Sequence, residues 1–460
     1  MKENQDPKQS LSALPSVNTL LQHPVLLELC NDYSRSLVTE AVRAMLKDIR
    51  TGILERSEFP DELSEEVLVQ KVKSDIENPP VRVIRPIINA TGIILHDAVR
   101  AAMMDDIVRD TMMDAMRPGI SDVEAQAERI LCEITNGGAA CLVHSDLAAL
   151  WLTVDTFGRG REVVISRGHI GAQGPIRMMD LFERCGTRVV EVGATNKTHL
   201  KDYRSALNEH TGAIISIRPA TYAFRGFAQE VSLEDLAMLG TEYDVPVLLA
   251  AGITTLTSPV ASDWQPAVTV QAAVQAGVAV TVAGSELTGG PVCGLAVGKP
   301  AAIDRMKQNP LAHLLGVGVP IYAGMGAVLQ PYDADTAGLG RHPAGRMILA
   351  SSDVIKARAE RLLARCRADL KQAGTFDLIE STAYLTAARL PSEAFSGHAV
   401  SWHPTVFDAI SLSKKLHDHT PALLTGVTGE RIIINLRTVE DPEVDTLYSI
   451  LTSVLKNTCV

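Results

Sequence analysis

The stretch Val280–Gly294, VTVAGSELTGGPVCG, carries one ionisable carboxylate, Glu286, between a β-branched run and a Gly-Gly-Pro turn. A strand buried on both faces that ends in small residues delivers the next side chains into a cleft at its C-terminal end. A carboxylate presented there can act as a general base or hold a cation. Gly289-Gly290-Pro291 reads as the reversal between two core strands. The seven cysteines are scattered, with no C-x-x-C pair and no histidine at zinc-ligand spacing, so neither structural zinc nor a disulfide framework is expected. Cys132, Cys141 and Cys293 lie in apolar runs and read as small buried hydrophobes rather than nucleophiles.

The elements that must position Glu286 follow from composition and period. With 460 residues, 46% hydrophobic and 21% charged, the chain can bury a large core, and its 4% aromatic content favours helices on a parallel sheet over a β-sandwich. From Leu14 to Gly52 apolar residues recur at helical spacing, with a break at Asn31-Asp32 and a stop at Gly52. A further helix is expected over Asp61–Lys73, then an Asn78-Pro79-Pro80 linker. From Arg82 to Pro331 short β-branched runs (REVVISRG, TRVVEVGA, GAIISIRP, DVPVLLAAG, VAVTVAGS, CGLAVGKP) alternate with helices such as Ser121–Ile134, Asp146–Thr156 and Leu233–Glu242. That alternation predicts an α/β domain with a mostly parallel sheet and its ligand loops at the strand C-termini. A long helix over Ser351–Leu370 and a strand in RIIINLRTV predict a small C-terminal α/β domain. The expected divisions are 1–80, N-terminal helical domain and linker; 81–344, large α/β domain; and 345–460, small domain.

Charge narrows the partners. The formal net charge is −11, and residues 1–80 carry 9 basic against 14 acidic side chains, so the chain as a whole repels phosphate backbones and anionic membranes. The polar start MKENQDPKQS lacks an apolar run behind a basic opening, and a cytoplasmic protein with no membrane partner is expected.

The order of motifs resembles one family across nearly the whole chain. LPSVNTLLQHP, IINATGIILH, VVISRG, EVGATNKTHLKDY, ATYAFRGFAQEV, DVPV, GSELTGGPVCGLAVGK and RIIINLRTVED are similar to stretches of bacterial selenocysteine synthase, the L-seryl-tRNA(Sec) selenium transferase family of fold type I pyridoxal-phosphate enzymes. The resemblance implies an aminotransferase-like large domain, an N-terminal helical domain that in the family holds tRNA, a homodimer with sites at the subunit interface, and assembly into a larger ring.

It also implies which residues to compare. Glu286 falls where the family has the lysine that condenses with the cofactor aldehyde, and a carboxylate cannot make that bond. Ala250 falls at the aspartate that keeps the cofactor ring protonated, and Ala283 at a serine just ahead of the lysine. His144-Ser145-Asp146 replaces an Asn-rich helix start that cradles phosphate, with Asp146 bringing negative charge there. MRPGISDVEAQ keeps little of a basic stretch that meets the anionic selenium donor, and Asp97-Ala98-Val99-Arg100 replaces Thr-Asn-Leu-Gly-Arg. The remnant pocket is His144, Ser145, Asp146, His169, Arg218, Ser285 and Glu286. Ser145 and Asp146 also read as helix caps. His96 reads as a structural histidine at a strand end, and Arg167 and Arg218 as anion anchors or intradomain ion pairs. Asn196, Lys197 and Thr198 read as a fold-shaping turn, and neither Lys197 nor Lys299 is expected to replace the lysine.

The expected function is therefore a selenocysteine-synthase-like pseudoenzyme, an inactive scaffold or a protein that binds a small ligand or protein partner. No covalently held pyridoxal phosphate and no metal are expected, and tRNA binding is not expected. Two alternatives stay open: a lyase or transferase acting on a small amino-acid or sugar-acid substrate without a Schiff base, and a true selenium transferase.

Overall fold

The structure is a computed structural model that describes residues 14–55, 64–77, 85–99, 104–117, 122–173, 176–224, 226–260, 262, 264–332 and 337–456. The Asn78-Pro79-Pro80 linker, Arg100, and residues 118–121 of MRPGISDVEAQ lie outside the described residues. The chain divides into two compact units, Met1–Arg85 and Pro86–Val460.

In the first unit, helices Val17–Leu21, Pro24–Asp32, Arg35–Glu55 and Glu65–Glu77 pack around Leu20, Leu26, Val42, Leu46, Val69 and Val72. Ser16 caps the first through Thr19 N–H, and the His23 ring caps the second through Val25 N–H, with Pro24 at the first helical position. The break at Asn31-Asp32 is where Pro24–Asp32 ends, but Gly52 is no stop, because the helix continues to Glu55. One glycine costs a helix interior only about 1 kcal/mol, which the apolar stripe of this long helix outweighs.

The second unit holds two main sheets. In chain order the strands are β1 Ile87–Ala90, β2 Ala139–Val143, β3 Glu162–Ser166, β4 Ala172–Gln173, β5 Ile176–Arg177, β6 Arg188–Val192, β7 Thr211–Ile217, β8 Val247–Ile253, β9 Val280–Gly284, β10 Gly294–Gly298, β11 Gly374–Tyr384, β12 Ala394–Pro404, β13 Ala422–Thr428 and β14 Arg431–Asn435. The large sheet runs β2-β10-β9-β8-β7-β3-β6, parallel except for β10, which is antiparallel to both neighbours. All six β-branched runs picked out in the sequence are strands of it. Its central strands are buried throughout, as expected where helices cover both faces. Helices Val123–Thr135, Asp146–Gly158 and Leu233–Glu242 agree with the sequence reading to within two residues at each end.

The second sheet runs β1-β13-β14-β12-β11 beneath the helix Ser352–Asp369. Its core stacks Trp402 on Phe376 with ring centroids 5.1 Å apart. β1, from the IINATG stretch, pairs in parallel with β13 and so joins the C-terminal sheet. Among the described residues no helix is long and apolar enough to cross a membrane.

Candidate functional site

The parallel strands of the large sheet end on one edge, and Glu286 stands there two residues past β9. The hairpin to β10 is fixed from within. Ser285, fully buried, donates from Oγ to Pro291 O at 2.8 Å and accepts Cys293 N–H at 2.7 Å. Thr288 Oγ1 donates to Ser285 O at 2.8 Å and accepts Gly290 N–H at 3.2 Å. Gly289 turns the chain at φ +81°, packed against the His342 ring. The half-buried Glu286 side chain folds back over its own strand: a Cβ on Gly284 would lie 2.0 Å from Glu286 Oε2. Burial pushes the adjacent Cys293 thiol up to about 12, as it does Cys141, so both are inert core residues.

β2 delivers His144, Ser145 and Asp146 to the same edge. Gly294 allows this approach, since its Cβ would lie 2.0 Å from Ser145 O. Ser145 Oγ accepts Ala148 N–H at 3.1 Å and Asp146 Oδ1 accepts Leu147 N–H at 2.8 Å. Two first-turn donors of helix Asp146–Gly158 are thus engaged by the chain's own side chains, and a carboxylate sits where a helix start would favour an anionic ligand. His144 is exposed.

Ala250 lies buried on β8, its methyl in the apolar cluster with Val143, Ala148, Ile217 and Val282. Arg218, one residue past β7, donates from Nη1 to Glu230 Oε2 at 2.5 Å, so pairing within the domain is its role here. The buried His169 brings Nε2 to 3.6 Å from Glu230 Oε1. Arg167 likewise pairs with Glu191, at 3.0 Å, near the surface. Arg218, Tyr222, Phe224, Glu230, Trp264 and Glu393 are among the residues lining a cleft of about 400 Å³ at this edge. Among the described residues no three His, Cys, Asp or Glu side chains gather to hold a metal ion.

The lysines lie elsewhere. Lys197 is exposed in the loop after β6, which folds back over the end of β3, three strands from β9. Lys299 follows Gly298, which pairs with Val280 at the start of β9, so it emerges from the opposite edge of the sheet. The turn carrying Lys197 shapes the fold as expected. Thr198 Oγ1 meets Ser166 Oγ at 2.7 Å, Asn196 Nδ2 donates to Phe227 O at 2.9 Å, and Gly193 adopts φ +70° against Thr198. His96 is in a loop rather than at a strand end, its Nδ1 accepting Ala98 N–H at 3.2 Å.

Two residues of the site escaped the sequence reading. Glu230 joins His169 and Arg218, and its sequence signal was its place in the family-like stretch ATYAFRGFAQEV, where it was not singled out. His342, fully buried, supports the Gly289 turn and caps the helix Pro343–Leu349 through Gly345 N–H at 3.3 Å. Its signal was the His-Pro pair that also opens the helix at Pro24. The two titrate in successive, slightly overlapping windows. Burial lowers His342 to about 4, so its contribution to stability is complete above pH 6.5 and is lost as pH falls through about 4. His169 and Arg218 lower Glu230 to about 2, so its contribution is complete above about 4.5 and is lost as pH falls through about 2. Unfolding free energy measured against pH should lose the first loss in His342→Asn and the second in Glu230→Gln; unchanged profiles would refute both assignments.

The model of the L-seryl-tRNA selenium transferase family matches residues 87–440, and that of the selenocysteine synthase N terminus matches residues 11–50. The chain belongs to the L-seryl-tRNA selenium transferase family. The family's L-seryl-tRNA(Sec) selenium transferase from Carboxydothermus hydrogenoformans is 31% identical over 95% of this chain and 96% of its own. That of Nitratidesulfovibrio vulgaris is 31% identical over 94% of this chain and 96% of its own. A solved D-glucosaminate-6-phosphate ammonia-lyase shares the fold, with a TM-score of 0.58 at 15% identity over 82% of this chain and 97% of that one. This family member thus shares the α/β fold of that lyase over most of its length, with helices at its N-terminal end.

Proposed function

We infer that this family member forms no covalent link to pyridoxal phosphate and works as an inactive scaffold or binding protein. The observation that carries this is the lack, among the described residues, of an amine at the end of β9, where Glu286 turns its carboxylate over Gly284 while Lys197 and Lys299 lie on other parts of the sheet. The residues present do not fit the cofactor. An aldehyde needs an amine to condense with, a protonated ring nitrogen needs an anion where Ala250 offers a methyl, and a phosphate would meet Asp146 at the helix start. We further infer a homodimer, which light scattering on the purified protein tests, in the cytoplasm, which cell fractionation tests.

The names of the relatives favour a second reading, a true selenium transferase, because identity near 31% extends along almost the full length. The two part in one assay. Purified protein given seryl-tRNA(Sec), pyridoxal phosphate and an activated selenium donor should convert none of the seryl-tRNA above a protein-free control. Repeated turnover would establish the second reading and end the first.

A further inference from the structure

The cleft of about 400 Å³ at the sheet edge brings together three aromatic rings, Tyr222, Phe224 and Trp264, and two carboxylates, Glu230 and Glu393. The rings are fixed from behind. Tyr222 Oη donates to Gly168 O at 2.7 Å, and its ring meets Phe224 edge-on with centroids 5.7 Å apart. Trp264 donates its backbone N–H to Ser262 Oγ at 3.1 Å and leans on Phe395, with centroids 6.3 Å apart. Among the described residues no lysine or arginine lies over any of the three rings, whose faces are left to attract a cation from outside the chain.

The two carboxylates differ. Glu230 is held by Arg218 at 2.5 Å and His169 at 3.6 Å. Glu393 ends the short 3₁₀ turn Pro391–Glu393 between β11 and β12, where its N–H donates to Leu390 O and its carbonyl accepts Leu385 N–H, both at 3.0 Å. Its Oε2 accepts the Thr386 hydroxyl at 3.0 Å, and no cation pairs with it among the described residues. Arg389, four residues away, lies instead over the Tyr384 ring at 5.9 Å. Burial raises the Glu393 carboxyl above the ordinary carboxylate range, as expected of an acid short of positive charge. Arg218 and Glu230 cancel, so the described lining carries one uncompensated negative charge beside three rings. With Arg218 taken, the lining offers no free cation for a carboxylate, and a simple amine suits it better than an amino acid.

We propose that this cleft binds a small organic ammonium ion, its nitrogen on Glu393 and its apolar body against Tyr222, Phe224 and Trp264. The proposal deepens the binding-protein reading and rests on it for a cleft free of cofactor.

The test is calorimetric titration of the full chain without pyridoxal phosphate, at constant ionic strength. Benzylamine should bind saturably. Benzyl alcohol, which lacks the charge, and phenylglycine, which adds a carboxylate, should each bind about tenfold more weakly. Glu393→Gln keeps an acceptor for Thr386 and should weaken benzylamine about tenfold while leaving benzyl alcohol unchanged. Hydrogen exchange on the wild type needs no variant: benzylamine should protect amides in 220–224 and 386–393. No saturable binding, benzyl alcohol or phenylglycine as tight as benzylamine, unchanged affinity in Glu393→Gln, or protection absent from both segments would overturn the proposal. The selenium-transfer assay separates the two failures. Turnover ends the scaffold reading whatever benzylamine does, whereas no turnover together with no benzylamine binding ends the ammonium proposal alone.

Discussion

Incubated with pyridoxal phosphate and reduced with borohydride, the wild-type protein should carry no more cofactor than scattered surface lysines take up, and none on the segment 280–294. Glu286→Lys should instead gain near-stoichiometric adduct at position 286, found by peptide mapping, together with visible imine absorbance before reduction. The reason is bond chemistry. A secondary structure that presents a side chain at the end of β9 is intact, held by Ser285, Thr288 and the Gly289 turn, so the amine is what bond formation lacks at that position. Restoring the amine should not restore turnover, because Ala250 gives the ring nitrogen no anion and its methyl sits in an apolar cluster. Specific adduct on any wild-type lysine would defeat the reading of the site.

Gly294→Ala should destabilise the protein by about 3 kcal/mol, the upper end of the ordinary cost of overpacking. Gly284→Ala, one strand away, should cost less than about 1 kcal/mol. A Cβ on Gly294 would lie 2.0 Å from Ser145 O and 2.9 Å from Asp146 N, backbone atoms at the start of a buried helix that cannot yield without unseating the Ser145 cap. The atoms nearest a Cβ on Gly284 belong to the Glu286 carboxylate, the far end of a flexible side chain rather than backbone. Denaturant unfolding of the two variants measures the difference. Equal costs would mean that Glu286 is pinned as firmly as the helix start.

The parts of the fold that were legible in the sequence are those built from local pattern. The six β-branched runs became strands because each is short, apolar and bounded by Gly, Pro or charge, and helix Leu233–Glu242 lies where it was read, its start capped by Ser232 in the structure. Reading failed where a local signal met a longer-range one. Gly52 looked like a stop, but the helix around it is set by the packing of its apolar stripe. His96 looked like a strand end, but the chain there turns on its own imidazole.

The sequence by itself determined the chemistry that is missing, because whether a side chain can condense with an aldehyde depends on its atoms and on nothing around it. The Glu286 side chain has no amine in any fold. Only the tertiary structure decided what the remaining residues do, because their partners are far away along the chain. It brought Glu230 to Arg218 and His169, set His342 behind Gly289, joined β1 to β13, and gathered Glu393 with Tyr222, Phe224 and Trp264 around one cleft. Burial and pairing are properties of packing, and no spacing of letters along one segment encodes them.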